Sequence, residues 1–111
     1  MQIVHADEVP FRAPGTKHRE PNIEFKHLMV GKRGSPQNFE LLVARTKGTF
    51  YSPRHHHNFD QIRFGLSGRF GDGNGNDVPA GGVGYYPEGA HYLIDCAESE
   101  VLLLQFGGAS G

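Results

Sequence analysis

The sequence predicts an all-β domain of the sandwich or small-barrel class, and three observations support that prediction. Glycine supplies 16 of the 111 residues, about twice its usual share, and seven prolines punctuate the chain further. Apolar residues recur in short runs that alternate with polar ones, as in half-buried strands. No stretch has the spacing of an amphipathic helix. Short strands separated by frequent turn residues are typical of sandwiches and small barrels.

The first third of the chain predicts an irregular lead-in followed by two strands. Three prolines exclude a long helix from residues 1–22, and we place a first short strand from Ile3. Residues 23–30 form the next strand, with one face made of Ile23, Phe25, His27 and Met29. Turn residues at 34–38 separate it from a strand over 39–46 that is rich in Leu and Val.

The rest of the chain alternates short strands and turns. A strand over 49–51 is broken by Ser52-Pro53, and a strand over 61–66 ends at Ser67-Gly68. The glycine-rich stretch 71–77 predicts a hairpin loop. The remaining predicted strands are 82–86, 91–94 and 100–106, with a turn at 87–89.

Composition restricts the class of protein. Eleven basic and twelve acidic residues give a net charge of -1, so the basic surface of a nucleic-acid-binding protein is absent. No apolar run reaches the roughly 18 residues of a membrane span. We expect a single domain over residues 1–111 and a cytoplasmic location, because there is one cysteine and no secretory signal. The chain stops directly after a strand, so we allow for a fragment of a longer protein.

A histidine run is the main functional signal. Residues 54–68 read RHHHNFDQIRFGLSG. In an extended chain His55 and His57 share a face, and Gln61 returns to it after an even step. Two imidazoles and an oxygen donor form half of a transition-metal site. His91 is the best candidate for a third imidazole, since it follows a tight turn and opens another strand.

The two histidine segments resemble the paired motifs of the cupin superfamily. The first motif is matched by Gly48, by His55 and His57 as His-x-His, by Gln61 in the place of a glutamate, and by Gly68. The second motif is matched by Gly81, Pro87, Gly89 and His91, with Asp95 in the place of an asparagine. The spacer between Gly48 and His55 has six residues, one more than usual, and His91 comes one residue early. The resemblance covers residues 39–106 and implies a jelly-roll β-barrel, a homodimer and a histidine-bound metal.

Gln61 is the departure with the largest chemical consequence. The usual glutamate ligand is replaced by a neutral amide, whose carbonyl oxygen is a weaker ligand. Three roles remain open for it: weak fourth ligand, hydrogen-bond partner of a metal-bound water, or pocket lining. The loss of a negative charge favours an anionic substrate. Asp60 has the opposite parity and could restore a carboxylate ligand only if a bulge shifts the register.

Arg63 shares the parity of Gln61 and is therefore expected inside the barrel. A buried cation needs a partner, either a structural acid or the carboxylate of a substrate. Four aromatic residues are candidates for pocket lining, with core packing as the more ordinary role: Tyr51, Phe64, Tyr86 and Tyr92.

Together with the cupin resemblance, these residues predict a mononuclear metal cupin that acts as an oxygenase on a small organic molecule. His55, His57 and His91 would hold one divalent transition metal, with Gln61 as fourth ligand or in the layer around it and Arg63 anchoring the substrate. Fe(II) is favoured, although imidazole also suits Mn, Ni, Zn or Cu. Two alternatives stay open: a metal- or small-molecule-binding module without catalysis, and a metal-independent sugar isomerase that uses an acid–base pair in the barrel.

Overall fold

The regular structure of the chain is almost entirely β. The computed structural model describes residues 1–13, 22–47, 50–55, 58–71, 77–90 and 92–107, and for residues 50–55 and 92–96 it describes the backbone alone. Within these residues a single 3-10 helix, Ala6–Glu8, precedes eight strands. The strands are β1 (Ile23–Val30), β2 (Phe39–Thr46), β3 (Phe50–His55), β4 (Asp60–Gly71), β5 (Asp77–Pro79), β6 (Val83–Tyr86), β7 (Tyr92–Cys96) and β8 (Ser99–Phe106). The predicted all-β class is confirmed. No helix in the described part of the chain is long and apolar enough to cross a membrane.

The strands form two antiparallel sheets. The larger sheet has the order β1-β2-β8-β4, and the far edge of β4 pairs first with β6 and then with β5. The smaller sheet consists of β3 and β7. The two sheets meet where β7 packs against β4. This contact brings the strand that follows His91 in the sequence beside the strand that carries Gln61 and Arg63.

The core lies on the inner face of the larger sheet, where side chains of alternating parity face inward. Leu42 and Ala44 of β2 stand opposite Leu103 and Val101 of β8, and all four are buried. Burying such side chains contributes about 1.5–3 kcal/mol for each of the larger ones. The other members of the buried cluster are Ile23, Phe70 and Val78.

The lead-in packs on the outer face of β1 and β2. The Phe11 ring lies 4.6 Å from the Lys26 Nζ and 3.8 Å from the Arg45 guanidinium carbon, as in cation–π contacts. Lys26 Nζ also donates to the Ala6 carbonyl oxygen at 2.8 Å. The strand expected from Ile3 is wrong: Ile3 is exposed, and the only regular element within residues 1–13 is the 3-10 helix.

Three strands differ from the sequence prediction. β3 continues through Ser52-Pro53, because its register against β7 shifts between Ser52 and His55, where a proline without an N–H is tolerated. β4 continues past Ser67-Gly68 to Gly71, because its pairing with β8 shifts between Gly65 and Ser67 and Gly68 adopts a φ of 64°. β5 was not predicted, since three residues are too few to show alternation.

The predicted face of β1 is interrupted by a bulge. Ile23 is buried in the core cluster and Phe25 packs against it. The pairing of β1 with β2 shifts between His27 and Met29. As a result Met29, which pairs with Leu41, leaves the face that His27 shares with its partner Leu42. The His27 side chain is 54% exposed, and its Nε2 contacts the Glu40 carboxylate.

Glu24 on β1 is expected to make folding stability depend on pH. Its carboxylate lies 2.5 Å from Lys47 Nζ and 3.0 Å from an Arg45 nitrogen, and these hydrogen bonds lower the pKa of Glu24 below the ordinary 4.5. A carboxyl whose pKa is lowered by folding adds stability above its unfolded-state pKa, and that stability disappears as the pH falls through the folded value.

We therefore expect Glu24→Gln to lower the free energy of unfolding by about 0.5–1 kcal/mol at pH 7. The difference from wild type should vanish as the pH falls well below 4.5. Urea denaturation at both pH values measures it, with the exposed Glu98→Gln as the control. An undiminished difference at low pH would contradict the ion-pair explanation.

Candidate functional site

The candidate site is built on the first half of β4, whose side chains alternate between the two faces of the sheet. Gln61 and Arg63 point inward and are 4% and 2% exposed. Between and after them, Ile62 and Phe64 face outward, and Phe64 is 38% exposed. Gln61 and Arg63 therefore lie inside the protein, as their parity along the strand predicts.

Gln61 and Arg63 are joined by a short hydrogen bond. Arg63 Nε donates to Gln61 Oε1 at 2.6 Å. The chemistry of the two groups settles the orientation of the amide, because Nε carries a hydrogen and an amide nitrogen cannot accept one. The Gln61 carbonyl oxygen therefore faces the guanidinium.

Two aromatic rings surround the guanidinium of Arg63. Its central carbon lies 3.9 Å from the centroid of the Tyr86 ring and 5.1 Å from that of Phe70. Arginine stacks favourably on aromatic faces, and the attraction strengthens when water is excluded. The site thus contains a permanent positive charge held in one position by hydrogen bonding and stacking.

Cross-strand pairing places Gln61 in a polar row at one end of the inner face. Gln105 of β8 stands opposite Gln61 on one side, and Tyr86 of β6 stands opposite it on the other. Glu40 of β2 continues the row beyond Gln105. The next inward row contains Leu42, Leu103 and Arg63, so Arg63 lies at the boundary between polar and apolar layers.

Gln105, Glu40 and the contact of Tyr86 with Arg63 were not predicted from the sequence. Each has the inward parity of its own strand, but only the register between strands shows that they form one row. Alternation within a strand reports which face a side chain takes, and it does not report which residue lies opposite.

The predicted metal ligands fall largely outside the described residues. His57 and His91 lie outside them, as does His56. Of His55, only the backbone is described. That backbone pairs with Tyr92, the residue after His91 in the sequence. Within the described residues there is no group of three His, Cys, Asp or Glu side chains able to hold a metal.

Asp60 does not turn toward the interior. Its Oδ1 accepts hydrogen bonds from the Tyr85 hydroxyl at 3.2 Å and from the backbone N–H of Glu88 at 3.0 Å. Partial desolvation and this contact with Asp60 raise the pKa of Tyr85. The irregularity in β4 lies further along, between Gly65 and Ser67, so no bulge brings Asp60 to the inner face.

The aromatic residues proposed as pocket lining fall on different faces of the sheet. Tyr86 contacts the Arg63 guanidinium, as a lining residue would. Phe64 does not line the interior, because its parity directs it to the outer face, where Val83 is its partner on β6. For Tyr51 and Tyr92 the structure describes only the backbone, so their predicted role lies outside the described side chains.

Comparison with known proteins identifies the fold. No protein-family model matches the chain, and no curated protein matches it significantly. Among solved structures, an RmlC-like cupin from Shewanella frigidimarina NCIMB 400 has a TM-score of 0.74 at 12% identity, covering 95% of this chain and 89% of that one. KdgF from Halomonas sp. has a TM-score of 0.73 at 18% identity, covering 94% and 93%.

A third solved structure is a candidate acetylacetone dioxygenase from Methylibium petroleiphilum PM1. It has a TM-score of 0.77 at 20% identity, covering 96% of this chain and 77% of that one. At these identities the likeness establishes the fold alone. The chain has the RmlC-like cupin fold, which agrees with the jelly-roll barrel that the motifs imply.

Proposed function

We propose that this protein, as a chain with the RmlC-like cupin fold, binds one divalent transition metal and acts as an oxygenase on a small anionic organic molecule. His55, His57 and His91 would hold the metal. The observation that carries the proposal is the placement of the inward cation: Arg63 is 2% exposed, on a strand that packs against β7. The backbone of His55 pairs with the first residue of β7, directly after His91 in the sequence.

The donor set suits the proposed metal. Neutral imidazole binds Fe, Mn, Ni, Zn and Cu, and Fe(II) is favoured because it also supplies redox chemistry with O2 when bound. In a dioxygenase reaction both oxygen atoms enter the organic substrate, which provides all four electrons, so no external reductant is required. The acetylacetone dioxygenase candidate with this fold supports that reaction class.

The chain's own residues would bind and orient the substrate. The Arg63 guanidinium would attract the negatively charged group, and its contact with the Tyr86 ring would keep it from reorienting. Burial strengthens this attraction, because the interior screens charge less than water does. The apolar row of Leu42 and Leu103 beside Arg63 would exclude water from the inner end of the site.

A second candidate is a cupin module that binds a metal or a small molecule without catalysis. The neutral Gln61 in the place of the glutamate supports this reading, since its carbonyl oxygen already accepts a hydrogen bond from Arg63. Such a module needs only the binding features and no reaction with O2.

Oxygen uptake distinguishes the proposals. The protein is reconstituted anaerobically with Fe(II) and mixed with small carboxylic acids, diketones and thiols in an oxygen-electrode cell. An oxygenase consumes O2 only when both iron and a substrate are present. A binding module retains metal and consumes none, and a sugar isomerase remains active after chelation. Absence of iron-dependent uptake across the substrate panel would count against the oxygenase.

A further inference from the structure

We infer that Gln61 is a hydrogen-bond donor to an oxyanion of the bound ligand and is not a metal ligand. The inference rests on the proposed metal site and specifies the ligand class that this site takes. The sequence left three roles open for Gln61, and the Arg63 contact separates them.

The carbonyl oxygen of Gln61 is engaged by Arg63. Oε1 accepts from Arg63 Nε at 2.6 Å, and both side chains are buried. A guanidinium remains charged at every pH that proteins tolerate. A metal ion bound to the same oxygen would come close to this permanent positive charge in a poorly screened environment. Arg63 therefore disfavours metal binding at the only atom of Gln61 that could coordinate a metal.

The amide nitrogen of Gln61 lies at the other end of the group. With Oε1 directed at Arg63, the two hydrogens on Nε2 are the groups that Gln61 can offer to a ligand, and no described residue accepts from them. A glutamate in this position would present only acceptor oxygens. The exchange of Glu for Gln thus converts an acceptor into a donor while it leaves the Arg63 contact in place.

The donors of Gln61 and Arg63 together define the class of ligand. A donor amide beside a buried guanidinium suits an acceptor that carries negative charge, and carboxylate and enolate oxygens have this property. A neutral sugar hydroxyl gains less from the pair, because its hydrogen bonds lack a charged acceptor. The site therefore takes a small carboxylate or an enolate-forming compound.

The experiment uses two substitutions of Gln61 and one control. Gln61→Leu removes both donor and acceptor, whereas Gln61→Glu keeps the acceptor for Arg63, removes the donor and adds a negative charge. Gln105→Glu places the same new charge on the neighbouring strand of the same row. Circular dichroism verifies folding. Co(II) affinity and acetate affinity are then measured by calorimetry, with acetate titrated into both cobalt-loaded and metal-free protein.

The inference predicts that Gln61→Leu retains Co(II) with a Kd within about threefold of wild type, because no ligand is lost. Acetate affinity should fall at least about tenfold in Gln61→Leu and Gln61→Glu, and clearly less in Gln105→Glu. If Gln61→Leu does not fold, the Gln61→Glu and Gln105→Glu pair still decides the matter, since equal acetate losses in the two would overturn the donor role.

Two further results would overturn the inference. A loss of Co(II) affinity of about 100-fold or more in folded Gln61→Leu would make Gln61 a ligand. Unchanged acetate affinity in that variant would reduce Gln61 to pocket lining. Absence of Co(II) binding in wild type would refute the proposed metal site but not the donor role of Gln61. The acetate titrations of metal-free protein would still show whether Gln61 donates to an anion.

Discussion

Replacing His57 by alanine is expected to lower metal affinity by more than about 100-fold, whereas His56→Ala should leave it nearly unchanged. The two side chains are adjacent in the sequence, so pleating directs them to opposite faces if the strand continues through them. A lost imidazole leaves a three-ligand histidine site incomplete, and cobalt or iron would then be held too weakly to survive gel filtration.

The pair of variants is its own control, because both remove an imidazole from the same short segment. Calorimetric titration with Co(II), on protein without a histidine tag, provides the measurement. Equal losses in the two variants would show that the strand register assumed for residues 55–57 is wrong. Retention of metal by both would place the site elsewhere in the protein.

Substitution of Arg63 is expected to have the largest effect on the described part of the site. Arg63→Ala removes a buried side chain, leaves Gln61 Oε1 without its donor and opens a cavity beside Tyr86. Together these effects should lower the free energy of unfolding by about 3 kcal/mol or more. Urea denaturation followed by circular dichroism measures the loss.

Arg63→Lys separates stability from ligand binding. Lysine keeps the charge but lacks the planar fork that bonds a carboxylate at two points and stacks on a ring. We therefore expect Arg63→Lys to fold and to bind acetate at least about tenfold more weakly than wild type. An unchanged acetate affinity would show that the Arg63 fork takes no part in anion binding.

Strands with regular alternation were predictable from the sequence, and irregular ones were not. The predicted bounds of β1 and β2 agree with the structure, because apolar runs there are bounded by glycine and proline or by polar turn residues. β3 was predicted over 49–51 only, broken by Ser52-Pro53, because local interpretation assumes that every strand N–H is needed in the ladder. The register shift opposite β7 removes that requirement.

The site shows the same division between local and long-range information. The inward direction of Gln61 and Arg63 follows from counting residues along β4, and the structure confirms it. The hydrogen bond between them was not predicted, because it depends on side-chain conformations within the packed interior. The contact of Arg63 with Tyr86 depends on the pairing of β4 with β6, which no local pattern specifies.

The most direct test of the account is the metal content of untagged protein, measured by elemental mass spectrometry after reconstitution with Fe(II) and gel filtration. We expect about one transition-metal ion per chain in wild type and almost none in His57→Ala. Wild-type protein that holds no metal after reconstitution would contradict the three-histidine site and the oxygenase proposed on it.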